Sequence, residues 1–156
     1  MPYTPPANPS AQLSVVLKYV DAFSKLDAAG IIALLDDSYQ HYYFPKSMGW
    51  PVSDKAEWGA RITSALLAFE RFDLDILDVT EGDNKVILHI AVDGRTKFGL
   101  PNTNEYMFTY FFTEDATEPK IKIINEFMDS AYAAKFFKEM AEQQAKEAAK
   151  QPANAQ

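Results

Sequence analysis

The chain has 156 residues, 47% of them apolar and 13% aromatic, enough to close a core and to exclude a disordered chain; by length it makes one domain. Its net charge of −7, with 22 acidic against 15 scattered basic residues, argues against a nucleic-acid partner. No apolar run approaches the ~18 residues of a membrane span, and with no cysteine there is no disulfide, thiolate metal site or thiol nucleophile.

Residues 1–9 carry Pro2, Pro5, Pro6 and Pro9 and read as an extended arm. The N-terminus has no basic region followed by an apolar stretch, so no secretory signal is expected and the location reads as cytoplasmic. Ser10 is a good N-cap for a first helix, whose Leu13, Val16, Leu17, Val20 and Phe23 follow the i, i+3, i+4 pattern. Asp27 can cap a short second helix over 28–35. Aromatic-rich residues 38–44, stopped by Pro45, read as a strand. A loop over 46–52 follows, and Ser53 then caps a third helix with Trp58, Ile62, Ala65, Leu66 and Phe69 on one face.

The second half is mostly strand. Residues 74–81 and 85–93 flank Gly82-Asp83-Asn84, a hairpin signal. Gly94 starts a return through Lys97 and Phe98, residues 104–113 form a long aromatic strand, and 120–128 form the last one. Asp129 and Ser130 cap a helix carrying Tyr132, Phe136, Phe137 and Met140, and residues 141–156 read as its polar end and tail. The order α-α-β-α-β-β-β-β-α, with no regular helical crossovers, predicts an α+β fold with a largely antiparallel sheet.

Chemistry-bearing signatures are few. His41 and His89 are the two histidines, with no HExxH or HxH spacing, so no metal site is expected. The six glycines make neither GxGxxG nor GxxxxGK[ST], so no nucleotide cofactor is expected either. Glu126 shares a strand face with Ile124 and Met128; if that face lines a cavity, it is a carboxylate among apolar groups, suited to general acid or base work. Tyr106, Phe108, Tyr110 and Phe112 share one face of the long strand; phenols there can hold a substrate oxygen while their rings wall a pocket. On the first strand Tyr39, His41 and Tyr43 alternate with Gln40, Tyr42 and Phe44, and either set can face inward. His41 is a candidate proton carrier and Tyr42 a candidate contact for substrate. Trp58, Phe108, Phe112 and Met128 are the further lining candidates, with Trp50 at the rim. His89 reads as facing away from the core, and Asp129 reads as a cap.

Two segments carry a family resemblance. The run KIKIINEFMDS from Lys120 to Ser130 is similar to the closing strand K-I-x-x-I-x-E-F-x-D-S of many fungal SnoaL-like proteins. The run HYYFPKSMGWP from His41 to Pro51, followed by Lys55, resembles their H-x-x-x-P-x-S-x-G-x-P…K segment. The likeness spans about residues 10–140, flanked by the arm and the tail. It implies the NTF2-like cone, a curved mixed, largely antiparallel sheet wrapped around helices with an apolar pocket at its wide end. It also implies a setting in fungal secondary metabolism.

The reading is a cofactor-independent isomerase, cyclase or dehydratase acting on an apolar polycyclic intermediate. Glu126 moves the proton, Tyr106 and Tyr110 hold an oxygen and His41 assists. A non-catalytic binding module and an epoxide hydrolase are the alternatives. The resemblance places Glu126 where epoxide-hydrolase-like members carry a carboxylate, but their Asp–Arg–Asp relay has a partial match only at Asp93 and Arg95. Where ketosteroid-isomerase-like members place a catalytic Asp before the proline, this chain has Phe44. A homodimer through the outer sheet face, covering Met107 and Phe111, is expected.

Overall fold

The structure, a computed structural model, describes residues 3–150; Met1 and Pro2 of the expected arm and residues 151–156 of the expected tail lie outside it. Each α-helix starts where a side-chain oxygen satisfies free backbone N–H groups. Ser10 Oγ accepts from Leu13 N at 3.0 Å and opens α1 (Ala11–Ser24). Asp27 accepts from Gly30 N at 2.8 Å and opens α2 (Ala28–Ala33). Asp129 accepts from the N–H groups of Ala131 and Tyr132 at the start of α4 (Ser130–Lys150), which runs unbroken through the residues read as a polar helix end.

The third helix, α3 (Lys55–Leu67), begins one residue later than expected. Its cap is Asp54, which accepts from Glu57 N at 2.8 Å while the Glu57 carboxylate accepts from Asp54 N at 3.3 Å. Ser53 has Ala56 at the third position and cannot close that box. It belongs instead to a two-residue strand, β2 (Ser53–Asp54), opposite His41.

The remaining strands are β1 (Leu35–Phe44), β3 (Phe69–Gly82), β4 (Lys85–Thr96), β5 (Pro101–Asn102), β6 (Glu105–Phe112) and β7 (Ile121–Met128). They form one mixed sheet in the order β2-β1-β7-β6-β4-β3, with β5 on β4. β1 and β7 run parallel, and the other pairs are antiparallel. Curled around the helices, this sheet makes an α+β half-barrel: the element order predicts its class and the family resemblance its cone shape. Its apolar core (Val16, Ile31, Leu88, Ile121 and Ile124, all buried) lies between the helices and the concave face.

Three strands run further than their sequence patterns suggest. β1 starts at Leu35, buried opposite Ile121, because a register shift between Leu35 and Gln40 absorbs the polar stretch Asp36–Ser38. β3 starts at Phe69, expected on the helix, because α3 ends at Leu67 with Ala68 as its C-cap, and Phe69 pairs with Thr96. Gly94 does not turn the chain: β4 continues through it to Thr96. A Cβ there would come within 3.2 Å of the Phe69 and Phe72 rings, so this glycine marks a close approach, not a return. None of the described helices is long and apolar enough to cross a membrane.

The reciprocal cap at Asp54 generates a stability prediction. Asp54→Ala lowers the unfolding free energy by about 1 kcal/mol in urea titration, the usual worth of an N-cap. An unchanged midpoint would contradict the assignment.

Candidate active site

The concave face of the sheet, together with α1, α3 and α4, encloses a cavity of about 500 Å³. Its walls are chiefly apolar and aromatic, among them Phe23, Phe72, Ile90 and Phe136, with Trp50 and Phe137 packed edge-on to one another at 5.4 Å. Among the described lining residues Glu126 and Arg61 are the charged ones. A groove between α2 and α3, lined by Lys55, Gly59, Ala60 and Thr63, is larger at about 780 Å³ but open to solvent on the outside of the helices. The cavity under the sheet, the more sheltered of the two, is therefore the place where chemistry can be shielded from water.

Glu126 reaches the cavity because the period-two alternation of β7 turns Ile124, Glu126 and Met128 inward. It stands in register between Tyr43 on β1 and Phe108 on β6. Its side chain is 15% exposed, and its Oε2 lies 2.6 Å from Nε2 of His41, a residue with no exposed surface. His41 Nδ1 in turn meets the Tyr39 hydroxyl at 2.6 Å. Trp58 of α3 stacks on the imidazole at 5.3 Å between centroids and 13° between planes, while Tyr43 packs on it at 4.5 Å. The ring is thus held by aromatic contact and by a partner at each nitrogen.

The donors and acceptors in this line have a natural order. Burial first, then the nearby Glu126 charge, pushes the Tyr39 phenol well above its ordinary value of 10.0, so it keeps its proton. With Glu126 ionised, the phenol donates to Nδ1 and Nε2–H donates to the carboxylate, leaving the other carboxylate oxygen for a ligand. The arrangement holds a base in one orientation, with the His41 N–H as its fixed hydrogen-bond donor.

The other phenols are neutral donors as well. Tyr110 and Tyr19 are fully buried, and burial raises both phenols well above 10.0, with Glu126 adding to the effect. Tyr106 is raised by burial and then by Glu126. Tyr19 and Tyr110 meet edge to face at 5.4 Å on the cavity wall.

Glu126, Tyr106, Tyr110, Phe108, Trp58 and Trp50 therefore converge on one cavity, as the sequence suggests. His41 lies one layer behind, reaching the cavity through Glu126. Phe112 and Met128 have the expected inward parity, but each is buried in the packed core and neither lines the cavity. Tyr42 is a correction: β1 turns Tyr39, His41 and Tyr43 inward, so Tyr42 lies on the outer face, where its hydroxyl donates to Gln40 Oε1 at 2.7 Å. His89 faces outward, as expected, 3.2 Å from Glu105. The Asp93 and Arg95 match to an epoxide-hydrolase relay also faces outward, and Asp93 is engaged there by Arg71 at 2.9 Å.

Tyr43 and Arg61 are among the cavity residues that escape the sequence reading. Tyr43 shares parity with His41 and follows once that face is known to be inward. Arg61 stands on the Trp58–Ile62–Ala65 stripe of α3, and a cation on an apolar stripe is the signal that marks it. Among the described residues no three His, Cys, Asp or Glu side chains cluster closely enough to hold a metal ion.

Comparison with known proteins agrees with this fold. The profile of the SnoaL-like domain matches residues 16–122. Monooxygenase ptaG of Pestalotiopsis fici is 25% identical over 130 residues, 82% of this chain and 89% of that protein. The crystal structure of BvnE pinacolase from Penicillium brevicompactum superposes with a TM-score of 0.73 at 20% identity, over 88% of this chain and 96% of that one. AusH from Aspergillus nidulans gives a TM-score of 0.67 at 26% identity, over 81% and 88% of the two chains.

The buried phenols carry a titration prediction. Their folded-state values are raised, so the stability they contribute is present below pH 10 and falls as the unfolded chain's tyrosines ionise above it. Tyr19, Tyr39 and Tyr110 should therefore ionise in a late step that coincides with loss of circular dichroism. A tyrosinate absorbance titration that completes while the chain stays folded would contradict their placement.

Proposed function

This chain belongs to the SnoaL-like domain family, and from that premise we propose that its cavity is the active site of a cofactor-independent acid/base enzyme. The substrate is a mostly apolar, polycyclic intermediate of secondary metabolism, and the reaction is an isomerisation, cyclisation or dehydration. The observation that carries the reading is Glu126, the one carboxylate among the described cavity-lining residues, bonded from behind by a fully buried histidine. A group placed so can take a proton from bound substrate and return it elsewhere on the same molecule, which none of these reactions needs a cofactor to do.

The rest of the cavity supports the same assignment. Phe108, Trp58 and Trp50 offer ring faces to a polycyclic skeleton, and Tyr106 and Tyr110 offer protonated phenols to its oxygens. The names borne by relatives, a pinacolase and a monooxygenase among them, point to natural-product chemistry in common and to differing reactions. Proton transfer at a positioned carboxylate is the step the geometry favours. The outward-facing Arg95 and Asp93 give no support to the epoxide-hydrolase alternative.

Assembly belongs to the same proposal. Phe127 and Met107 pair in register on the outer face, 53% and 42% exposed, and Phe44 continues the row on β1. Thr109, Asn125, Ile123 and Phe111 extend an uncharged face beside them, suited to a second copy of the chain.

Two outcomes follow. Glu126→Gln keeps the size of the side chain but cannot shuttle the proton, so turnover of the physiological substrate falls by roughly 10²–10⁴-fold with the fold intact. Wild-type rates in that variant would remove Glu126 from the chemistry, and a wild type that only reproduced the uncatalysed products would make the cavity a binding site. Light scattering should give twice the 17.5 kDa chain mass, reverting to a single chain in Phe127→Asp; a wild-type monomer at micromolar concentration would exclude the dimer.

A further inference from the structure

Tyr43 stands beside Glu126 in register across β1 and β7, on the same cavity wall, and proton transfer by Glu126 makes no use of it. Its hydroxyl accepts a hydrogen bond from Arg61 Nη1 at 2.7 Å, and the guanidinium carbon lies 5.3 Å from its ring centroid. Trp50 packs edge-on against the same ring at 5.2 Å, and the Tyr43 side chain is buried while Arg61 is exposed. A phenol that accepts from a cation becomes a stronger donor through its own O–H. One wall therefore presents, one strand apart, a carboxylate that accepts a proton and a polarised phenol that gives a hydrogen bond.

We propose that Tyr43, polarised by Arg61, receives the oxygen of an enolisable carbonyl, so that the substrate carries a ketone next to the carbon that Glu126 deprotonates. This deepens the proton-transfer reading and rests on it. In the step, the α-carbon's C–H bond breaks and its proton goes to a Glu126 carboxylate oxygen. The bonding pair forms a carbon–carbon double bond, and the carbonyl π pair moves onto oxygen, where the Tyr43 O–H meets the growing negative charge. Return of the proton to another carbon of the conjugated system completes an isomerisation with no other reactant. The ligand class is thus an apolar ring system with one ketone oxygen directed at the mouth, where Arg61 stands. Tyr106 and Tyr110, which the sequence offers for the oxygen, contribute ring walls and neutral hydrogen bonds, whereas Tyr43 has the cation on its hydroxyl.

Burial raises the Tyr43 phenol and Glu126 adds to this, while the Ser53 side chain and then Arg61 oppose it, so the group stays protonated as a donor requires. The test uses 2-naphthol, an apolar ring system whose ionised oxygen resembles an enolate, in the Glu126→Gln protein. That variant has the charge the site carries once Glu126 has taken its proton. Quenching of Trp50 and Trp58 reports binding, and the naphtholate absorption band reports ionisation of the bound probe. The bound naphthol should ionise about one pH unit or more below the free compound, a tenfold gain in its ionisation constant, as an opposite charge nearby provides. Adding Tyr43→Phe or Arg61→Met should abolish that shift while quenching persists. Naphthol that binds but ionises no more easily than in water, or a shift that survives either substitution, overturns the assignment and leaves Glu126's role standing. Absence of quenching overturns the assignment together with the cavity as a ring-binding site.

Discussion

The bond between His41 Nε2 and Glu126 Oε2 is the contact on which the rest of the site depends. A carboxylate facing an apolar cavity gives up water on most sides, and that loss must be offset by hydrogen bonds or the group does not stay ionised. His41 supplies the compensation from the packed side, Tyr39 satisfies the second imidazole nitrogen and Trp58 fixes the plane of the ring. These groups reach one another because β1 and β7 run parallel, so that β1's inward row of Tyr39, His41 and Tyr43 lies alongside Ile124 and Glu126. The helix that carries Trp58 thereby helps to orient a proton carrier it does not touch through any polar bond.

Much of this layout is legible in the sequence. Alternation on β7 and β6 puts Glu126 and the Tyr106–Phe112 series inward, and the closing-strand pattern places both in a known kind of cone. What escapes is depth. Phe112 and Met128 have the right parity, yet the curvature of the sheet buries them in the core, and period two carries no information about position along the cone axis. The facing of β1 escapes too, because aromatic residues occupy both of its parities and neither set is more apolar. Only the histidine–carboxylate bond distinguishes them, which leaves Tyr42 outside and Tyr43 within. Arg61 is hidden because a cation on a helix is ordinarily a solvated group.

The polar groups of the cavity share one wall: a carboxylate backed by a buried ring and, one strand over, a phenol that shares a guanidinium. Around them lie aromatic faces and neutral hydroxyls, which hold a flat apolar skeleton without fixing its chemistry. A shape of this kind can serve many reactions, because the few polar groups in the cavity and not the fold decide the chemistry.

The most direct measurement is nitrogen-15 NMR of the His41 ring near neutral pH, which reads the protonation of each nitrogen in place of inferring it from heavy-atom distances. The expected result is a proton on Nε2, donated to an ionised Glu126, with a resonance that shifts markedly in Glu126→Gln. A bare Nε2 with the proton on Nδ1 would mean that Glu126 is the donor in that bond, and a resonance indifferent to the substitution would mean that the bond does not hold the site together. Either result would contradict the pairing of Glu126 as base with His41 as its support.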